Sequence, residues 1–102
     1  MAGDLTKGIT ATCPGFYAPQ GRQLRGKVFQ EDYLLNLRQF KYKDHRITNF
    51  EMETAGIYGM SSMLGHDAIS FNALLANRAN GTFSEKPQET VERLVELVLN
   101  RI

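Results

Sequence analysis

Two short stretches hold the residues best equipped for chemistry. In Asn49-Phe50-Glu51-Met52-Glu53-Thr54, two carboxylates stand across one methionine where an extended run passes into a helix-like segment. Residues two apart in a strand share a face, so Glu51 and Glu53 begin on one side with Met52 opposite. Once Glu53 enters the first helical turn, that relation breaks and one carboxylate is re-aimed. A Glu there lies near free backbone N–H groups and the positive helix end, which keep it ionised and able to accept hydrogen bonds from hydroxyls. Such an acceptor at the mouth of a sheet suits the hydroxyls of a sugar. The alternative is that Glu53 and Thr54 merely cap the helix.

The second stretch is the loop from Gly15 to Gly26, which holds Phe16, Tyr17, Pro19, Gln20, Gly21, Arg22 and Arg25. A planar aromatic stacks on a heterocycle, a Gln amide offers both a donor and an acceptor, and a guanidinium supplies forked donors to carbonyl oxygens. Together these match a pyrimidine base. The competing reading is an exposed basic loop with one aromatic tucked beneath it.

The flanking patterns predict the elements that position both stretches. Lys7 to Cys13 alternates small, β-branched and apolar residues before Pro14-Gly15, as a buried strand ending at a turn does. From Gln30 to Lys41, Tyr33, Leu34, Leu37 and Phe40 recur at helical spacing. Tyr42 to Arg46 reads as a polar connection, Ile47 to Met52 as a strand, and Thr54 to Leu64 as a helix stopped by Gly65. Ala68 to Ala76 is a largely apolar run, predicting a central strand covered on both faces, with Asn77-Arg78 in the loop at its carboxyl end. Pro87 suits the first turn of a last helix, whose apolar stripe is Val91, Leu94, Val95, Val98 and Ile102. Strands alternating with helices predict an α/β layered domain, in which ligands collect beyond the strands' carboxyl ends.

Composition bounds the rest. With 102 residues, 42% hydrophobic, 23% charged and net charge +1, the chain suits one modest soluble domain and offers no basic field for a nucleic acid. The lone Cys13 excludes an internal disulfide and favours a cytoplasmic setting. His45 and His66 lack the ligand spacing of zinc sites, so no metal is expected. Met1 to Leu5 lack the apolar core of a signal peptide, and no run reaches transmembrane length, so no membrane partner is expected.

Taken together, Phe16-Tyr17-Ala18-Pro19-Gln20-Gly21-Arg22 and Phe50-Glu51-Met52-Glu53, followed by Asn77-Arg78, resemble the carboxyl-terminal part of the nucleoside phosphorylase family, and within it the uridine phosphorylases. The resemblance runs from about Lys7 to the end. It implies a layered α/β/α sandwich with a truncated central sheet, residues 1–102 forming a single partial domain. It also implies that Phe16 stacks on uracil, Gln20 and Arg22 hydrogen-bond its polar edge, Met52 packs on the ribose, and Glu53 binds the ribose hydroxyls. Arg22 and Glu53 would be the catalytic pair, phosphate the co-substrate, and no cofactor is needed. Purine-specific relatives place an Asp near the end of the strand corresponding to Leu74 to Asn77; this chain has Asn77, which favours a pyrimidine nucleoside.

Family members are more than twice this length; their amino-terminal half supplies the phosphate site and part of the central sheet, and a neighbouring subunit lends further site residues. Arg25 and Arg78 could attract phosphate, but separated arginines are not a cradle. The resemblance therefore implies a base-and-ribose half-site, in a homo-oligomer, that is inactive alone. Two other readings stand beside it: a non-catalytic nucleoside-binding or protein-interaction module, and a purine nucleoside phosphorylase or nucleosidase.

Overall fold

The computed structural model describes residues 5–27 and 31–102, so the expectations for Met1 to Asp4 and for Gln30 lie outside the described residues. The chain divides into two compact units, one ending at Ile69 and one running from Ser70 to Ile102.

The first unit is built on strand β1 (Ile9–Thr12) lying parallel to β3 (His45–Glu51), with β2 (Lys41–Tyr42) antiparallel on the other side of β3. Between β1 and β2 come a 3₁₀ turn (Ala18–Gln20) and helix α1 (Tyr33–Gln39); β3 runs into helix α2 (Thr54–Leu64). Tyr33, Leu34 and Leu37 are the half-buried residues of α1, as its periodicity predicts, whereas Phe40 is exposed beyond its end. Helix α2 has the predicted bounds, and Gly65 ends it in the left-handed conformation.

The expected polar connection from Tyr42 to Arg46 is instead a hairpin, turning at Lys43-Asp44 so that Tyr42 pairs with His45. The turn places Lys43 at φ 53°, an uncommon conformation for a residue with a Cβ, which ordinary turn chemistry would not assign to lysine.

One face of the β1–β3 pair is a polar ladder. Thr10 pairs with Asn49 and Thr12 with Glu51 in the backbone register, and each hydroxyl donates to the side chain opposite, at 2.9 Å and 2.7 Å. Parallel strands put both carboxyl ends at one edge. The Cys13 N–H donates to the Glu51 carbonyl (2.7 Å), carrying the pairing one residue beyond β1.

The second unit corrects the predicted central strand. Ala68 to Leu75 forms no strand; only β4 (Ala76–Asn77) pairs, antiparallel, with β5 (Thr82–Phe83), in a small hairpin. Ile69 and Leu74 are well exposed. Apolar composition supplied the prediction, but a strand buried on both faces needs a neighbour on each side, and along this run the β4–β5 hairpin reaches only Leu75, whose carbonyl accepts the Ser84 N–H at 2.7 Å. The local bond from Asn72 Nδ2 to Ser70 Oγ draws side-chain polarity into the run instead. Asn77-Arg78 accordingly begins a hairpin turn, in which Asn77 Oδ1 accepts the Ala79 N–H, rather than following a central strand. Helix α3 (Pro87–Leu99) begins with Pro87 in its first turn, as expected.

Candidate functional site

The loop after β1 draws three of the predicted residues into one cluster. The 3₁₀ turn closes with Gly21 at φ 78°, so the chain reverses between Gln20 and Arg22. A Cβ on Gly21 would stand 2.9 Å from Leu34 Cγ, so α1 is seated directly on the reversal. Both side chains flanking it then meet: Arg22 Nη1 donates to the Phe16 carbonyl oxygen at 2.6 Å and to Gln20 Oε1 at 2.8 Å.

The guanidinium carbon lies 3.9 Å from the centroid of the Phe16 ring, in cation–π geometry, and Tyr17 meets the same ring edge-on at 5.3 Å. Gln20 is 8% exposed and Phe16 54% exposed. A held amide, a charged donor and an open aromatic surface are therefore presented together. In this structure the ring's stacking partner is the guanidinium itself. Gln20 Oε1 accepts from Arg22 with one lone pair, which fixes the amide's orientation.

Beneath the loop, Cys13 is buried and its Sγ lies 3.1 Å from the Tyr33 hydroxyl, joining the end of β1 to the first residue of α1. The hydrogen bond to Cys13, with burial and the charge of an ionised Cys13 adding to it, pushes the Tyr33 phenol up to about 12. The contact anchors the loop's far end.

At the neighbouring carboxyl end, β3 stops at Glu51, and Met52 and Glu53 form the turn into α2, both exposed. Glu53 occupies the capping position, but its side chain makes no capping bond; Thr54, the first helical residue, is buried. The capping alternative is therefore corrected for the Glu53 side chain: Glu51 takes the first N–H groups instead. Its Oε2 accepts the N–H groups of Glu53 (2.6 Å) and Thr54 (2.7 Å), while Oε1 accepts the Thr12 hydroxyl. The Thr12 oxygen in turn accepts the Ala55 N–H at 2.9 Å. Burial works to raise the Glu51 carboxyl, but donation from Thr12, the two backbone N–H groups and the Thr54 side chain outweighs it, holding the group down at about 2.

Sequence reasoning took Glu51 only as a companion of Glu53 and left Thr12 unnamed. The signal available was the matched alternation Thr10/Thr12 and Asn49/Glu51, whose meaning depends on strand register.

Phe16, Gln20 and Arg22 thus form one cluster in the loop after β1, and Met52 and Glu53 form the turn after its parallel neighbour β3. Among the described residues no three His, Cys, Asp or Glu side chains converge as a metal site would require, and no helix is long and apolar enough to cross a membrane.

No family model matches this chain, and no solved structure matches it. Among curated proteins, a uridine phosphorylase of Thermococcus kodakarensis is 38% identical over 81 residues, a match spanning 76% of this chain and 27% of that relative. The chain thus covers well under a third of the relative's length. It is similar, over most of its own length, to one part of a uridine phosphorylase, which supports a nucleoside phosphorylase-like reading.

Proposed function

We propose that the chain carries the base-and-ribose half of a uridine phosphorolysis site. The observation that supports this best is the Phe16–Gln20–Arg22 cluster in the loop after β1, whose parallel partner β3 leads into the Met52-Glu53 turn. Uracil lies against Phe16, with its polar edge toward Gln20 and the remaining guanidinium donors of Arg22. Met52 packs on the ribose, and Glu53 accepts its hydroxyls.

In the reaction, phosphate attacks the anomeric carbon as the base departs. Positive charge grows on the sugar and negative charge on the base. Arg22 stabilises the departing uracil anion and Glu53 the cationic ribose. Phosphate is the co-substrate, and the residues that hold it are not identified in this chain. The amide of Gln20 and the guanidinium of Arg22, matched to the polar edge of uracil, favour a pyrimidine over a purine nucleoside. Homo-oligomerisation and a cytoplasmic setting belong to the same proposal.

Calorimetric titration of the chain with uridine, uracil and adenosine, alongside a phosphorolysis assay, tests the reading. Uridine and uracil should bind, adenosine more weakly, and the chain alone should not turn over. Adenosine binding as tightly as uridine would move the assignment to purine nucleosides. Turnover by this chain would disprove its restriction to a half-site. A second reading, a non-catalytic interaction module, draws on the exposed apolar residues Ile57, Met60 and Met63 of α2, and failure to bind either pyrimidine ligand would favour it.

A further inference from the structure

We propose that Glu51 is a positioning residue for the ribose half of the site, fixing the Met52-Glu53 turn through its own carboxylate. The inference rests on the reading of Met52 and Glu53 as the ribose contacts. Glu51 Oε2 receives the N–H groups on both sides of the Glu53 Cα, at 2.6 and 2.7 Å, so the backbone that aims the Glu53 side chain is held at two consecutive peptides. Oε1 ties this turn to β1 through the Thr12 hydroxyl, and the same hydroxyl oxygen takes the Ala55 N–H. One carboxylate therefore joins β1, β3 and the start of α2.

The N–H groups of Glu53, Thr54 and Ala55 are all committed, so these donors at the helix end are filled from within. The Glu53 carboxylate stays exposed, without a capping bond, and available to a ligand. An acceptor that must meet two sugar hydroxyls in a defined direction gains from such a fixed backbone, because its orientation is set before the ligand arrives.

Uridine and uracil are titrated separately into the full chain by calorimetry, with amide NMR spectra recorded on each variant. Glu51→Ala should weaken uridine about tenfold or more while leaving uracil within about twofold, and should shift the Glu53 and Thr54 amide resonances. Glu51→Gln, with Oε1 toward the two amides, should recover most of the uridine affinity. If Glu51→Ala does not fold, Thr12→Val provides the second reading, with a smaller loss in the same direction. Equal loss for both ligands in a folded variant would reduce Glu51 to a structural role and overturn the proposal, as would unchanged uridine binding. Wild-type chain that binds uracil but gains nothing from the ribose removes the ribose contacts and this inference together. Wild-type chain that binds neither ligand overturns the proposed function itself.

Discussion

At the scale of single residues, Arg22 carries the sharpest expectation. Its Nη1 is spent on Phe16 and Gln20, which leaves its other nitrogens to face a ligand while the first holds the loop together. Arg22→Ala should therefore cost roughly ten- to a hundredfold in uracil affinity, the range for a hydrogen bond to a charged group, and should loosen Gln20 as well. Arg22→Lys restores the charge but not the fork, and should recover only part of the loss in the same titration. Glu51 predicts a pH dependence. Its carboxyl is held at about 2 in the folded chain, below the ordinary value of 4.5, so the unfolded chain binds the extra proton first as pH falls. The stabilisation is fully present above about 4.5 and is lost as pH drops toward 2. Denaturant melts at pH 6, 4 and 2.5 should show this decline, and Glu51→Gln should flatten the part of it owed to this carboxylate.

At the scale of elements, the β1–β3 register depends on one close approach. Pairing is irregular between Ile9 and Thr10, so Thr48 is the extra residue on β3, and a Cβ on Gly8 would run into the Thr48 side chain. Gly8→Ala should destabilise the chain by about 1–3 kcal/mol, the usual cost of overpacking, and disturb the Thr12–Glu51 bond that the register sets up; a thermal melt with the Thr54 amide shift would show both. This register also marks where the sequence stopped being readable. Helix α2 was legible to the residue because its signals are local: an acidic residue and a threonine at its start, then Gly65 to end it. The Phe16, Gln20 and Arg22 cluster was legible because it spans seven residues of one loop. The clamp by Glu51 was not, since it requires Thr12, thirty-nine residues away, to lie opposite. The central strand expected over Ala68 to Ala76 failed for the converse reason: apolar composition records a tendency to be covered, while strand formation needs a partner that composition does not name.

At the scale of the whole molecule, apolar side chains outnumber the surface available to cover them. Among the described residues the buried hydrophobic core is Cys13, with Gln20 and Thr54 as buried polar companions, and no large side chain is completely enclosed. Helix α2 has no charged residue between Thr54 and Leu64, yet Ile57, Met60, Met63 and Leu64 are all exposed, Met63 at 81%. In the second unit, α3 exposes Val91, Val95 and Leu99 along an open groove of 360 Å³ bordered by Glu92 and Glu96. Strand β1 also has an unpaired side among the described strands, the template on which sheets extend. Burial stabilises by roughly 25 cal/mol per Å² of apolar surface, so a chain with so little enclosed gains most by associating. Sedimentation velocity across a hundredfold concentration range should therefore show reversible assembly, with a shallow melt that sharpens as the protein is concentrated. Met63→Glu and Val95→Glu separate the two helices. If α2 is the covered surface, Met63→Glu shifts the chain toward monomer and lowers its melting temperature at high concentration, while Val95→Glu changes little; dependence on α3 gives the reverse. A monodisperse monomer at every concentration, melting cooperatively near about 45–65 °C, would show that this small core suffices alone.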